Sequence, residues 1–230
     1  MEESMSSTHI YYLFTILTQF GMGAVVVSYA VFLRSIGFSL SDIALVEMCY
    51  SIVVVIAEVP TGMLADGRSR AWSLKTGVMF QAIGALMYMF AQSVTTAILG
   101  EVVLAIGMSF ISGAKQAWIA DALSREGKTE NLRKVYATDA ILCGASLVVS
   151  GVIGGALIPI HIRAVWIPLF LTHISAWCVC MIFMNGQGEP LERIDEWSAL
   201  RRSIAHLRKS RALIWLATAM SIFRSPFKSR

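Results

Sequence analysis

Charged residues are scarce in this sequence. Only 15% of its 230 residues are Asp, Glu, Lys or Arg, whereas soluble domains average about 25%. Hydrophobic residues make up 56% of the chain, and the mean hydropathy is +0.66. A soluble protein of this length has too little interior to hide so much apolar surface, so we predict an all-α membrane protein with several spans. The net charge of +4 is small and its bases lie in loops, which argues against nucleic-acid binding.

Enzyme and metal-site signatures are also lacking. The sequence contains no phosphate-binding loop, no zinc-ligand spacing and no supported Ser/His/Asp set. The four histidines are scattered, and the four cysteines fall in apolar runs, where packing is their usual role. These residues are His9, His161, His173 and His206, and Cys49, Cys143, Cys178 and Cys180. We therefore expect no enzyme activity, no cofactor and no metal site.

Six apolar runs are long enough to cross a bilayer, which takes about 20 helical residues. They cover residues 10–33, 43–65, 74–92, 96–120, 135–158 and 164–184. The first run is too long for the core of a signal peptide and follows Glu2 and Glu3 rather than bases, so we predict an uncleaved span. The predicted organisation is therefore a tail of residues 1–9 followed by a six-span bundle of residues 10–184.

Two further segments follow the predicted bundle. Residues 185–211 form a polar linker in which Trp197, Leu200 and Ile204 recur at helical spacing among several bases. This pattern predicts a basic amphipathic helix that lies on the cytoplasmic membrane surface. Residues 212–230 begin with an apolar run that is shorter than a span and end in a basic tail. We interpret them as a partial seventh helix in an interrupted reading frame.

The positions of Lys and Arg predict the orientation. The segments after the second, fourth and sixth spans carry three, four and six of these residues. The segments after the first and fifth spans carry one each, Arg34 and Arg163. Because basic loops stay in the cytoplasm, this bias places the N-terminus on the cytoplasmic side of the cell membrane.

The loop between the second and third spans carries the most specific motif. Gly62 lies four residues before Asp66 on one helix face, and Ser69 and Arg70 follow in a tight turn. This arrangement resembles the loop between the second and third helices of major facilitator superfamily transporters. The preceding Glu-Val-Pro-Thr-Gly run is typical of a branch that includes many drug-efflux-like members. The sequence departs from the family pattern at two positions that often carry bases, Gly67 and Ala71.

The resemblance implies the first half of a twelve-helix transporter. Such a half is one bundle of two inverted three-helix repeats, and a second six-helix bundle completes the transport path. The resemblance also implies a gating latch made by Gly62, Asp66, Arg70 and Asp121. Arg70 would pair with Asp121, while Asp66 would cap a helix of the second bundle. The alternative is that these residues only stabilise the loop and the topology.

Five of the ionisable residues within the predicted spans are candidate functional groups, because a charge there is costly. Glu58 and Lys115 lie at similar depths below their helix ends, so we expect them to form an ion pair. Glu47, Glu101 and Asp139 lie closer to the ends of their spans and are expected to reach the interface. Each of the five is a candidate for proton or substrate binding, or for a structural role.

The fifth span contains the run Ser150-Gly-Val-Ile-Gly-Gly155. It resembles the antiporter motif of the fifth helix in the same superfamily, but it lacks the proline of that motif. Close helix contacts at the glycines are the preferred interpretation.

The predicted function is secondary active transport of a small solute by alternating access, with proton-coupled efflux as its expected mode. The predicted partners are the lipid bilayer, a small-molecule substrate and a second six-helix bundle from the same or another chain. The alternative is a non-transporting membrane scaffold or interaction protein that uses the six-helix bundle.

Overall fold

The computed structural model describes residues 6–184, apart from the side chain of Asp66. Each of the six predicted spans coincides with one α-helix, and the described regular elements are all helical. The helices are α1 (Ser7–Ser35), α2 (Leu40–Gly67), α3 (Arg70–Met89), α4 (Val94–Arg125), α5 (Leu132–Leu157) and α6 (Trp166–Phe183). Short 3-10 turns precede α5 and α6, at Thr129–Asn131 and Ile162–Val165. These residues belong to one compact unit, Met1–Glu192. The predicted linker helix and partial seventh helix lie outside the described residues.

Serine caps begin three of the helices. The Ser39 and Ser93 side chains accept hydrogen bonds from backbone amides of the first turns of α2 and α4. Ser69 does the same for α3, where it accepts from the backbone amide of Trp72. Each cap satisfies an amide that has no partner within its own helix. Short polar turns between long apolar helices are thus sufficient to reverse the chain five times.

The helix contacts follow a pattern of two repeats. α1 packs against α5 and α6, α4 packs against α2 and α3, and α3 packs against α6. Exchanging α1, α2 and α3 with α4, α5 and α6 turns each of these contacts into another of the same set. Because successive helices alternate in direction, the second group of three starts at the end where the first group finishes. This arrangement agrees with the predicted pair of inverted three-helix repeats.

Among the six described α-helices, five are long and apolar enough to cross a membrane, and α3 is the exception. α3 has 20 residues, but Lys75 and Gln81 lower its hydropathy. It packs against α4 and α6, and two of its polar side chains donate hydrogen bonds to α4. The Ser73 hydroxyl donates to the Phe110 carbonyl at 2.8 Å, and the Gln81 amide donates to the Leu104 carbonyl at 2.8 Å. Burial against neighbouring helices explains how a less apolar helix is accommodated.

The two ends of the bundle differ in charge and in core residues. We call the end that contains the loops after α2 and α4 the basic end, because Arg68, Arg70, Arg125 and Lys128 lie there. A hydrophobic cluster that includes Phe14 and Trp118 fills the bundle near the basic end. A second cluster, which includes Phe32, Tyr88 and Trp166, fills it near the opposite end.

Glycines allow close helix contacts in both repeats. A Cβ atom on Gly107 would lie 2.8 Å from the Gly77 carbonyl oxygen, at the contact between α3 and α4. A Cβ atom on Gly154 would meet the backbone of Ala24, at the contact between α1 and α5. The Ser150 hydroxyl donates to the Phe20 carbonyl at the same contact. These contacts confirm the packing interpretation at Gly154, whereas a Cβ atom on Gly155 would meet nothing within 4 Å among the described residues.

Candidate functional site

Two members of the predicted latch meet at the basic end. Arg70 begins α3 and Asp121 lies near the end of α4, and the Arg70 Nε atom is 3.7 Å from the Asp121 Oδ2 atom. Both side chains are about one-quarter exposed, at 21% and 25%. A Cβ atom on Gly62 would meet nothing within 4 Å among the described residues. The side chain of Asp66 lies outside the described part of the structure.

A second polar contact at this end joins α1 to α4. The Ser7 hydroxyl donates to a carboxylate oxygen of Glu126 at 2.7 Å, and the Lys128 ammonium donates to the other oxygen at 2.9 Å. The hydrogen bond from Ser7 and the contact with Lys128 hold the pKa of Glu126 below its ordinary value of 4.5. The side chains of Glu126 and Lys128 are 27% and 55% exposed, so water screens this interaction.

The first buried charge cluster, which we call the Lys115 site, joins α1, α4 and α5. The Lys115 ammonium donates to both carboxylate oxygens of Asp139, at 2.8 and 3.1 Å. The Thr15 hydroxyl also donates to Asp139, and the ring of Tyr11 lies 5.1 Å from the ammonium. The two charged side chains are only 12% and 14% exposed. The site is therefore a compact, desolvated and electrically neutral ion pair.

The predicted ion pair between Glu58 and Lys115 is wrong. Lys115 pairs with Asp139, and Glu58 lies exposed on α2. The register between α2 and α4 explains the error, because Ser109 contacts α2 residues on both sides of Glu58, at Val54 and Thr61. Glu58 is therefore level with Ser109. Lys115 lies six residues further along the parallel helix, about 9 Å nearer the basic end.

The second buried cluster, which we call the Glu101 site, lies toward the opposite end. Glu101 is 5% exposed, and its carboxylate accepts a hydrogen bond from the Tyr88 hydroxyl. The Tyr29 and Tyr88 hydroxyl oxygens are 3.2 Å apart, so a chain of hydroxyl groups leads from α1 through α3 to the carboxylate. The Trp166 ring stacks on Tyr88, with centroids 4.2 Å apart and planes 10° from parallel. Aromatic residues of three helices thus surround one acid on a fourth.

The expectation that Glu101 and Asp139 reach the interface is wrong, because both side chains are largely buried. Glu47, for which the same was expected, is exposed. Glu101 and Asp139 lie about two helical turns inside the bundle, where hydrogen-bond partners from neighbouring helices hold them. The partners are Tyr88 for Glu101, and Lys115 and Thr15 for Asp139. Both acids therefore stay inside the bundle instead of extending to the headgroup region.

A cavity of about 250 Å³ opens at the Glu101 site. Side chains from five helices line it: Met22, Val25, Val26, Tyr29, Glu47, Tyr50, Gln81, Glu101, Leu104, Trp166 and Leu169. Among the described residues, Gln81 Oε1 and Trp166 Nε1 have no hydrogen-bond partner, but both atoms are fully buried and present no surface to the cavity. The cavity is a candidate ligand site because a mostly apolar wall carries a few polar groups, including the Glu101 carboxylate.

Glu47 of the Glu101 site and Asp139 of the Lys115 site occupy equivalent positions in the two repeats. Glu47 lies seven residues after Leu40, the first residue of α2, and Asp139 lies seven residues after Leu132, the first residue of α5. α2 and α5 are the second helices of the two repeats. Counting from the helix starts would have revealed this match in the sequence. The aromatic lining had no such signal, because Tyr and Trp in spans usually belong to interfacial belts.

Comparison with known proteins agrees with this architecture. The family model described as Major Facilitator Superfamily matches residues 11–227. An uncharacterised MFS-type transporter of Methanocaldococcus jannaschii is 23% identical over 106 residues, which are 46% of this chain and 28% of that protein. An uncharacterised MFS-type transporter of Bacillus subtilis is 22% identical over 176 residues, which are 76% of this chain and 43% of that protein. The chain thus spans less than half the length of these two relatives.

Proposed function

Because the chain belongs to the major facilitator superfamily, we propose that it forms one half of a secondary active transporter. As a multi-pass membrane protein, it would move a small solute by alternating access, with its basic end in the cytoplasm of the cell. A second six-helix bundle, from the same or another chain, would supply the other half of the path. Export of the solute in exchange for protons is the proposed mode.

The observation that carries this proposal is the cavity of the Glu101 site. It lies within a bundle whose helices are long enough to cross a bilayer, and it is large enough for a small solute. A buried carboxylate lines it, although ionisable groups inside membranes are costly. A purely structural bundle has no need of such a group in an open cavity, whereas a transport site does.

Glu101 is the proposed proton carrier. The polar groups around it are Tyr88 on α3, Tyr29 on α1, and Glu47 and Tyr50 on α2. The described residues that line the cavity include no Lys, Arg or His to balance the two carboxylates. Proton binding at Glu101 removes an uncompensated buried charge, and a bound cation has the same effect. Exchange of a proton for a cationic solute at Glu101 would couple the transport of the two without any additional site.

Exposed helix faces support the proposed second bundle. α2 and α5 bury only 6% and 22% of their most apolar stretches, while the other three long spans bury 39% to 50%. Gly62 on α2 lies open to a neighbour. In the proposed latch, Arg70 and Asp121 hold the loop after α2 in place, and Asp66 caps a helix of the second bundle.

Flux in proteoliposomes with an imposed pH gradient tests the proposal. The probes are radiolabelled choline, glucose and lactate, which are cationic, neutral and anionic. We expect the gradient to drive the flux of at least one probe, Glu101→Gln to reduce that flux to background, and Glu130→Gln to leave it unchanged. Glu130 is a matched control because it is an exposed carboxylate in the loop before α5. Absence of flux for all three probes, together with a stable complex with another membrane protein, would support the scaffold alternative instead.

A further inference from the structure

We propose that the Glu101 site binds a small organic cation, an ammonium group with an apolar body about the size of choline. The inference rests on the proposed function, since it names the substrate class of the transport site. Binding is nevertheless a property of the cavity alone, so it is testable without transport.

The charge of the cavity is the first argument. Glu47 and Glu101 bring two carboxylates to its wall, and the described lining residues supply no cation. The base on the turn before α6, Arg163, donates to the carbonyl oxygens of Met89 and Ala91, at 2.7 and 2.9 Å. In the Lys115 site, by contrast, a lysine of the chain itself balances the carboxylate. The missing positive charge of the Glu101 site therefore has to come from a ligand or a proton.

The aromatic lining is the second argument. Tyr29, Tyr50 and Trp166 reach the cavity from α1, α2 and α6. Trp166 is fully buried against Tyr88 and Phe32, so of these three rings only Tyr29 and Tyr50 have surface that a ligand can contact. Fixed aromatic faces attract ammonium groups through their negative faces, and they accept methyl groups that a hydrated metal ion does not carry. This favours an organic cation over an inorganic one.

The size of the cavity favours a compact ligand. Its volume is about 250 Å³. Drug-sized ligands occupy pockets of about 300–1,000 Å³. The cavity therefore suits a compact ammonium compound better than the large molecules that drug-efflux transporters carry.

Binding of choline by the purified full chain in lipid nanodiscs tests the proposal. The matched ligand control is 3,3-dimethylbutan-1-ol, which has the shape of choline but no charge. We expect choline to bind at least about tenfold more tightly than the alcohol, and Glu101→Gln to weaken choline binding by a similar factor. Glu130→Gln should leave choline affinity unchanged. Equal affinities for the two ligands, or no choline binding by the folded wild-type chain, would overturn the proposal.

A second variant covers the case in which Glu101→Gln does not fold. Glu47 is exposed, so Glu47→Gln should fold like the wild type, and we expect it to weaken choline binding about threefold to tenfold. Unchanged choline affinity in folded Glu47→Gln and Glu101→Gln chains would contradict the assignment. Choline binding without any pH-driven flux would support this inference and count against transport. Glucose or lactate flux without choline binding would support transport and count against this inference.

Discussion

The Glu101 site and the Lys115 site are two solutions to burying an acid in the same repeated fold. Glu47 and Asp139 occupy equivalent positions on α2 and α5, and each faces a cluster built with residues of α1 and α4. In one site the chain supplies Lys115 as the counter-charge. In the other it supplies tyrosine hydroxyls, aromatic faces and an open cavity. The repeat thus provides equivalent positions, and the presence of Lys115 decides whether the acid there is paired within the chain.

The two ends of the bundle also differ in how the helices are held together. Near the basic end, the ion pair between Lys115 and Asp139 fastens α4 to α5, two helices that otherwise share little contact. Toward the opposite end, hydrogen bonds to Glu101 leave a cavity that reaches the exposed side of α2. One end of the bundle is thus closed by an ion pair, and the other contains a cavity.

The largest expected effect is the loss of the counter-charge in the Lys115 site. Lys115→Met leaves Asp139 buried without a cation, and we expect it to lower the free energy of unfolding by about 3 kcal/mol. Chemical denaturation in detergent micelles measures this change. Adding Asp139→Leu to the same chain should restore most of the loss, because two apolar side chains leave no buried charge. A single variant as stable as the wild type would show that the pair is not structural.

The second largest effect should come from making the two sites alike. Glu47→Lys places a cation beside Glu101, as Lys115 stands beside Asp139, and the exposed position of Glu47 should tolerate the change. We expect choline affinity to fall about a hundredfold, because a like charge then replaces an attractive one. Titration with choline in nanodiscs measures it, with Glu130→Lys as the control for net charge. Undiminished choline binding would mean that charge does not distinguish the sites.

The sequence predicted the fold better than it predicted the sites. Apolar run length was enough to locate all six helices, and the spacing of Gly62, Asp66 and Arg70 was enough to suggest the family. The two charge clusters depend on register and on helix rotation, which a single sequence does not contain. An offset of about 9 Å between parallel helices separated Glu58 from Lys115.

The aromatic side of the Glu101 site was missed for a related reason. Tyr88 and Trp166 lie near helix ends, where aromatic residues usually face the membrane interface. Only the three-dimensional structure shows that they turn inward and stack on each other. Gln81 was the one readable signal, since an amide within an apolar run requires an internal partner.

A smaller effect is expected from the close contact between α1 and α5, the helix that carries Asp139. Gly154→Ala pushes a methyl group into the backbone of Ala24, so we expect a loss of about 1–3 kcal/mol in the free energy of unfolding. Gly155→Ala is the matched control, because its Cβ atom meets nothing within 4 Å among the described residues. Replacement of a helical glycine should leave that variant as stable as the wild type, or more stable by up to about 1 kcal/mol. Equal unfolding midpoints for the two variants would contradict the close contact between α1 and α5.

The smallest effect should come from an exposed charge contact, which provides the contrast to the buried pair of Lys115. The pKa of Glu126 is lowered in the folded chain, so its contribution to stability is present at neutral pH and is lost as the pH falls through that lowered pKa. Because water screens the contact, we expect Glu126→Gln to cost only a few tenths of a kcal/mol at pH 7 and less at pH 3. Unfolding midpoints of the wild type and the variant at both pH values measure the difference, with Glu130→Gln as control. A cost at pH 7 as large as that of Lys115→Met would mean that burial does not set the strength of ion pairs in this bundle.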